Sequence, residues 1–104
     1  MKSKTYNLKV RESSDKKSDI LLVEGDLSLK NAVALKKQLQ TLKFRRNEVV
    51  IQLQNVEKID ITTIQIIRSY RNYLNDKNIS TSVIPALAPE TEKLIKNTGF
   101  ETTL

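Results

Sequence analysis

The side chains whose types could do chemistry are four carboxylates, Asp26, Glu48, Glu57 and Asp60, and three hydroxyls, Ser28, Thr62 and Thr63. Two carboxylates held at a defined separation can share general acid–base work. Pairing is only one of many placements open to surface acids, and here they read as caps and exposed loop charges. The hydroxyls offer something else. Thr62 and Thr63 follow Asp60 closely, in a stretch that predicts a helix beginning on that aspartate. A group added to a hydroxyl on that first turn, close to the preceding loop, would be seen by a partner.

What the chain lacks narrows the chemistry further. It has no cysteine, which removes disulfides, thiol catalysis and thiolate metal sites together. It has no histidine either, and with it go the commonest general base and the commonest metal ligand. Its only glycines are Gly25 and Gly99, too few for a glycine-rich phosphate loop. No cofactor is expected, and catalysis is not the reading these residues favour.

The element that must position the hydroxyls runs from Glu48 to Tyr70. Val49, Val50, Ile51 and Leu53 are dense in β-branched side chains, which suits a strand covered on both faces. A short loop follows, and then a helix. Ile64, Ile67 and Leu74, with Tyr70 beside them, recur at steps of three and four, so one helix face turns inward. Asp60 is placed as the N-cap, where its carboxylate can accept from free amides and its charge suits the positive helix end.

Upstream, residues 5–10 alternate Tyr6, Leu8 and Val10 against Thr5, Asn7 and Lys9, the period of a half-exposed strand. A polar turn over 11–18 leads to a second strand over 19–24, and the two predict an antiparallel pair at one end of a sheet. Gly25 breaks that strand and permits a backbone conformation closed to other residues. Ser28 is placed to cap a helix whose stripe of Leu29, Ala32, Leu35, Leu39 and Leu42 faces the core, with Lys30, Lys37 and Gln38 facing water. Downstream, Asn75-Asp76-Lys77-Asn78 is a stop signal, and 79–84 predicts a last strand ended by Pro85. Pro89 opens a third helix, with Glu90 and Glu92 at its positive end and Gly99 and Phe100 at its close.

The order β-β-α-β-α-β-α requires the later strands to run parallel, because helices join them. The expected fold is α/β, a small mixed four-stranded sheet with three or four helices packed against it. At 104 residues the chain is expected to be one domain, burying about two thirds of its unfolded surface. No apolar run approaches a membrane span and no secretory pattern opens the chain, so the expected setting is cytoplasmic.

Eighteen basic residues against twelve acidic ones give a net charge of +6. The excess is uneven: from Leu27 to Asn47 stand Lys30, Lys36, Lys37, Lys43, Arg45 and Arg46, with no acid among them. Such a stripe can attract phosphates or an acidic protein surface. The plainer reading is a solvated face, with Lys43, Arg45 and Arg46 meeting the negative pole of the first helix. Few aromatics are available to stack on bases.

Asp60-Ile61-Thr62-Thr63-Ile64, preceded by a strand and by Val56-Glu57-Lys58-Ile59, resembles the Asp-Ser-Ser-Gly-Leu signature of STAS domains. That family comprises bacterial anti-sigma-factor antagonists and domains attached to anion transporters. Gly25-Asp26-Leu27-Ser28 before the first helix and Asn97-Thr98-Gly99-Phe100 near the end fall in the family's order. The resemblance spans roughly residues 19–104, and STAS domains share the element order read above. In the antagonists, the second residue after the signature aspartate is phosphorylated by a partner kinase that is itself an anti-sigma factor. That position is Thr62 here, with Thr63 as the alternative acceptor.

The resemblance therefore implies a partner surface of Asp26, Ser28, Asp60, Ile61, Thr62 and Thr63, with no catalytic residue, metal or cofactor. Ile61 stands where the family has a small hydroxyl residue, and Thr63 where it has glycine. An outward Ile61 would offer an apolar anchor, while Thr63 adds bulk at the helix start. Three functions are left open: an antagonist-like regulatory domain bound by an anti-sigma-factor kinase and switched at Thr62; a structural subunit like the STAS components of bacterial lipid-transport ABC ATPases; and a small basic nucleic-acid-binding module.

Overall fold

The computed structural model describes residues 5–85. Four strands form one sheet in the order β1-β2-β3-β4: β1 is Tyr6–Glu12, β2 Asp19–Leu27, β3 Glu48–Ile59 and β4 Ser80–Pro85. The first two pair antiparallel, and β2 with β3 and β3 with β4 pair parallel. Helix α1, Leu29–Thr41, and helix α2, Ile61–Asp76, make the two parallel crossovers. Two helices are described where three or four were expected. The helix expected from Pro89, and its Gly99 and Phe100 ending, lie outside the described residues.

The core lies between one face of the sheet and the two helices. Leu21 and Val23 of β2, with Val49, Ile51 and Leu53 of β3, meet Leu35 and Leu39 of α1 and Ile64, Ile67, Tyr70 and Leu74 of α2. The inward face expected for α2 is the observed one. On the other face of β3, Val50 and Gln52 are only half-buried, so the strand is not covered equally on both sides. Leu29 departs from the stripe expected of α1: it is 62% exposed, because it stands at the first position of the helix, outside the Ala32, Leu35, Leu39 row.

Strands β2 and β3 run longer than expected. Gly25 does not end β2, which continues to Leu27. The residues read as a loop before Asp60 are the second half of β3. Between the pairs Val23↔Leu53 and Asp26↔Lys58 the register shifts twice, so three steps along β2 span five along β3. These irregularities explain the altered periodicity, since each extra residue in a strand moves the next side chain to the opposite face. Gly25 (φ +94) and Asn55 (φ 51) supply the backbone conformations involved. At Gly25 a Cβ would collide with the carbonyl oxygen of Thr5, so glycine is required on two grounds.

The opposite end of the sheet is closed by Asp19, which is buried and whose Oδ2 accepts from the backbone amides of Arg45 (2.7 Å) and Arg46 (3.0 Å). The Arg46 guanidinium pairs with Glu12. Arg45 and Arg46, expected with Lys43 at the end of the first helix, lie beyond α1, which closes at Thr41, and their amides hold the return to β3.

Candidate functional site

Because Leu27 and Ile59 are parallel partners, both helices begin at the same end of the sheet. The β2–α1 junction carries Asp26 and Ser28, and the β3–α2 junction carries Asp60 to Thr63. The extended register brings together the residue set expected to face a partner, then divides it by burial.

At β2–α1 the polar groups turn inward. Asp26 is 1% exposed; its Oδ1 accepts from the Ser28 amide at 2.9 Å, and its Oδ2 lies 3.7 Å from the Lys30 ammonium. The Asn31 side-chain amide donates to the Asp26 carbonyl at 2.7 Å. Hydrogen bonding from Ser28, reinforced by Lys30 and Lys58, holds the Asp26 carboxyl below the usual carboxylate range against the opposing effect of burial. Ser28 occupies the N-cap position of α1 but makes no side-chain capping bond, a correction to its expected role. The Asp26 carboxylate takes the Ser28 amide instead. Both side chains are buried, and as folded they do not form an outward contact surface.

At β3–α2 the arrangement opens. Asp60 is half-buried and caps the helix as expected, its Oδ1 accepting from the Thr63 amide at 3.2 Å. Thr63 is fully buried, and its hydroxyl donates to the Leu27 carbonyl at 2.5 Å. It is therefore a structural tie between the two junctions and presents no hydroxyl to a modifying enzyme, which corrects its place as an alternative acceptor. Ile61 is 43% exposed, and Thr62 is exposed beside it. Only these two of the expected set stand fully at the surface.

The remaining carboxylates are elsewhere. Glu48 opens β3 at the far end of the sheet and Glu57 lies exposed within the same strand, so neither is the loop charge expected of it. Among the described residues, no group of three or more His, Cys, Asp or Glu side chains gathers as a metal site would require, and no helix is long and apolar enough to cross a membrane.

Sequence reasoning missed what lies beside Thr62. A groove follows the seam of α1 and α2, bordered by Lys36, Gln40, Thr62 and Ile66, with Tyr70 and Tyr73 toward one end. Tyr70 is buried with no hydrogen-bond partner for its hydroxyl among the described residues, and burial pushes its phenol up to about 12. The signal was present as Val33 and Tyr73, apolar residues outside the inward stripes.

No family model and no curated protein matches the chain. Solved structures do. An anti-sigma factor antagonist from Mycobacterium paratuberculosis aligns with a TM-score of 0.71 at 20% identity, over 96% of this chain and 83% of that one. SpoIIAA, an anti-sigma factor antagonist solved in its unphosphorylated form, gives 0.65 at 10% identity, over 93% and 84%. The STAS domain of an antisigma-factor antagonist from Rhodobacter sphaeroides gives 0.55 at 19%, over 78% and 85%. At such identities the likeness speaks for architecture, and on that ground the chain has a STAS-like fold.

Proposed function

We propose that this chain is a single, non-catalytic regulatory domain of the anti-sigma-factor-antagonist type, acting in the cytoplasm by binding a protein partner. Its contact surface is the first turn of α2, and phosphorylation of Thr62 by a partner kinase weakens that contact. The observation that carries the reading is the exposure of Thr62 on a first turn that is otherwise locked, by the Asp60 cap and the buried Thr63. The structural neighbours support it by their named role as antagonists.

The physics of the position suits a switch. A phosphate would add about −1.5 to −2 charge at pH 7. The N-terminal end of the helix tolerates that charge, so the domain stays folded. A surface already docked around a neutral threonine does not. Asp26, Ser28 and Thr63 support this surface from beneath, while Ile61 and Thr62 form it.

The test is capture of partners from the source cell with wild type, Thr62→Ala and Thr62→Glu. Thr62→Glu is expected to weaken capture about tenfold or more, equivalent to about 1.4 kcal/mol, with the melting temperature little changed. Thr62→Ala retains capture and takes no phosphate. The reading fails if mass spectrometry of protein from cells finds no phosphate on Thr62 and Thr62→Glu binds as wild type does. Recovery of a transporter ATPase in place of a kinase would move the chain to the structural-subunit role.

A further inference from the structure

Two cavities on the helix side of the molecule share a wall. One, of about 230 Å³, reaches along α2 to Tyr70 and Tyr73. The other, of about 430 Å³, reaches along α1 to Leu29 and Val33. Lys36, Gln40, Thr62 and Ile66 border both, so the two form one groove with Thr62 on the shared wall.

The groove is apolar where an isolated helix pair should be polar. Leu29 and Val33, one turn apart on α1, are 62% and 67% exposed, and Tyr73 across the groove is 42% exposed. Exposed apolar side chains gathered this way mark a surface that another molecule covers. Its charge has one sign: neither cavity is lined by an acidic residue, Lys36 and Lys37 stand on the α1 side, and α2 carries no acid before Asp76.

The geometry points to this groove as the docking site for an acidic amphipathic helix of the partner protein. The assignment rests on Thr62 being the switch and adds the chemistry of what docks there. Apolar residues at helical spacing seat between Leu29 and Val33 on one side and Ile66 and Tyr73 on the other, while carboxylates reach Lys36 and Lys37. Helix α1 has 13 residues and is about 20 Å long, room for three to four turns of a partner helix. A second copy of this chain is the poorer occupant, because its own net charge is +6. A phosphate on Thr62 would face the partner's carboxylates across the shared wall, and that repulsion is the physical content of the switch.

The probes are a fluorescent helical peptide of about 16 residues, with leucines on one face and glutamates on the others, and its twin with lysine at every glutamate. Each is titrated into the full chain by fluorescence anisotropy at low and high salt. The glutamate peptide is expected to bind about tenfold or more tightly than its twin, less so at high salt. Val33→Asp, and Lys36→Glu with Lys37→Glu, each weaken it about tenfold. Lys9→Glu with Arg11→Glu, the same charge change on the far face of the sheet, stays within about twofold. Equal binding of both peptides, indifference to Val33→Asp, or sedimentation showing wild type paired through this groove would each overturn the assignment. If Thr62→Glu abolishes cellular partner capture while the glutamate peptide misses the groove, the switch stands and the groove falls. If the peptide binds the groove but Thr62→Glu alters neither peptide nor partner binding, the groove stands and the switch falls.

Discussion

The two strand-to-helix junctions sit side by side and use the same residue types, an aspartate followed by a hydroxyl residue two positions on. At β2–α1 the pair is Asp26 and Ser28, both buried, with the carboxylate bonded to the Ser28 amide and faced by Lys30. At β3–α2 it is Asp60 and Thr62, with the carboxylate capping the helix and the threonine left outside. The difference arises one residue further along, where Thr63 takes the inward position and bonds to Leu27. One junction has become framework and the other surface. Similar residue types therefore do not identify a binding site until burial has been assigned.

Substitutions can break that contrast. The largest loss is expected from Gly25→Ala, about 3 kcal/mol, since it forces a side chain onto a positive-φ backbone against Thr5; urea unfolding at pH 7 measures it. Asp26→Ala comes next, at about 2 kcal/mol for a buried charged hydrogen-bond acceptor, against about 1 kcal/mol for Asp60→Ala, an exposed-side cap. Equal losses would erase the distinction between the junctions.

Acidification sharpens the same pair. The Asp26 carboxyl titrates lower in the folded chain than in the unfolded one, so its stabilisation is complete above the ordinary carboxylate value and is lost as pH falls through the lower folded value. Wild type should lose stability below about pH 4, and Asp26→Ala should lose less over the same range in a urea series. A contrast of similar size to that between the aspartates is expected between Thr63→Val, about 1 to 2 kcal/mol for a buried hydrogen bond, and Thr62→Val, less than about 0.5 kcal/mol. A cost at Thr62 as large as that at Thr63 would show that its hydroxyl is also framework.

The element order from β1 to β4, the inward face of α2 and the Asp60 cap were legible because they depend on local periodicity and capping chemistry. The second half of β3 was not. Its buried residues run Leu53, Val56, Ile59, a spacing of three that strands do not ordinarily show, and only its pairing with β2 reveals the two register shifts behind it. Burial at the junctions was hidden for a similar reason: the Asp26 and Thr63 side chains face inward because of the neighbouring junction, which no single window of sequence contains. The groove escaped notice because Leu29 extends the inward stripe in the sequence but leaves it in space.

The Thr63 hydroxyl, held by a carbonyl from the adjoining strand, acts as a rivet between two pieces of chain 36 positions apart. With that rivet in place, the turn bearing Thr62 has little freedom to swing. Information written there would pass to a partner as a change of voltage at a fixed landing pad rather than as a change of contour, and the Thr63 and Ile64 amide protons, both bonded to Asp60, should exchange slowly despite their place at the rim.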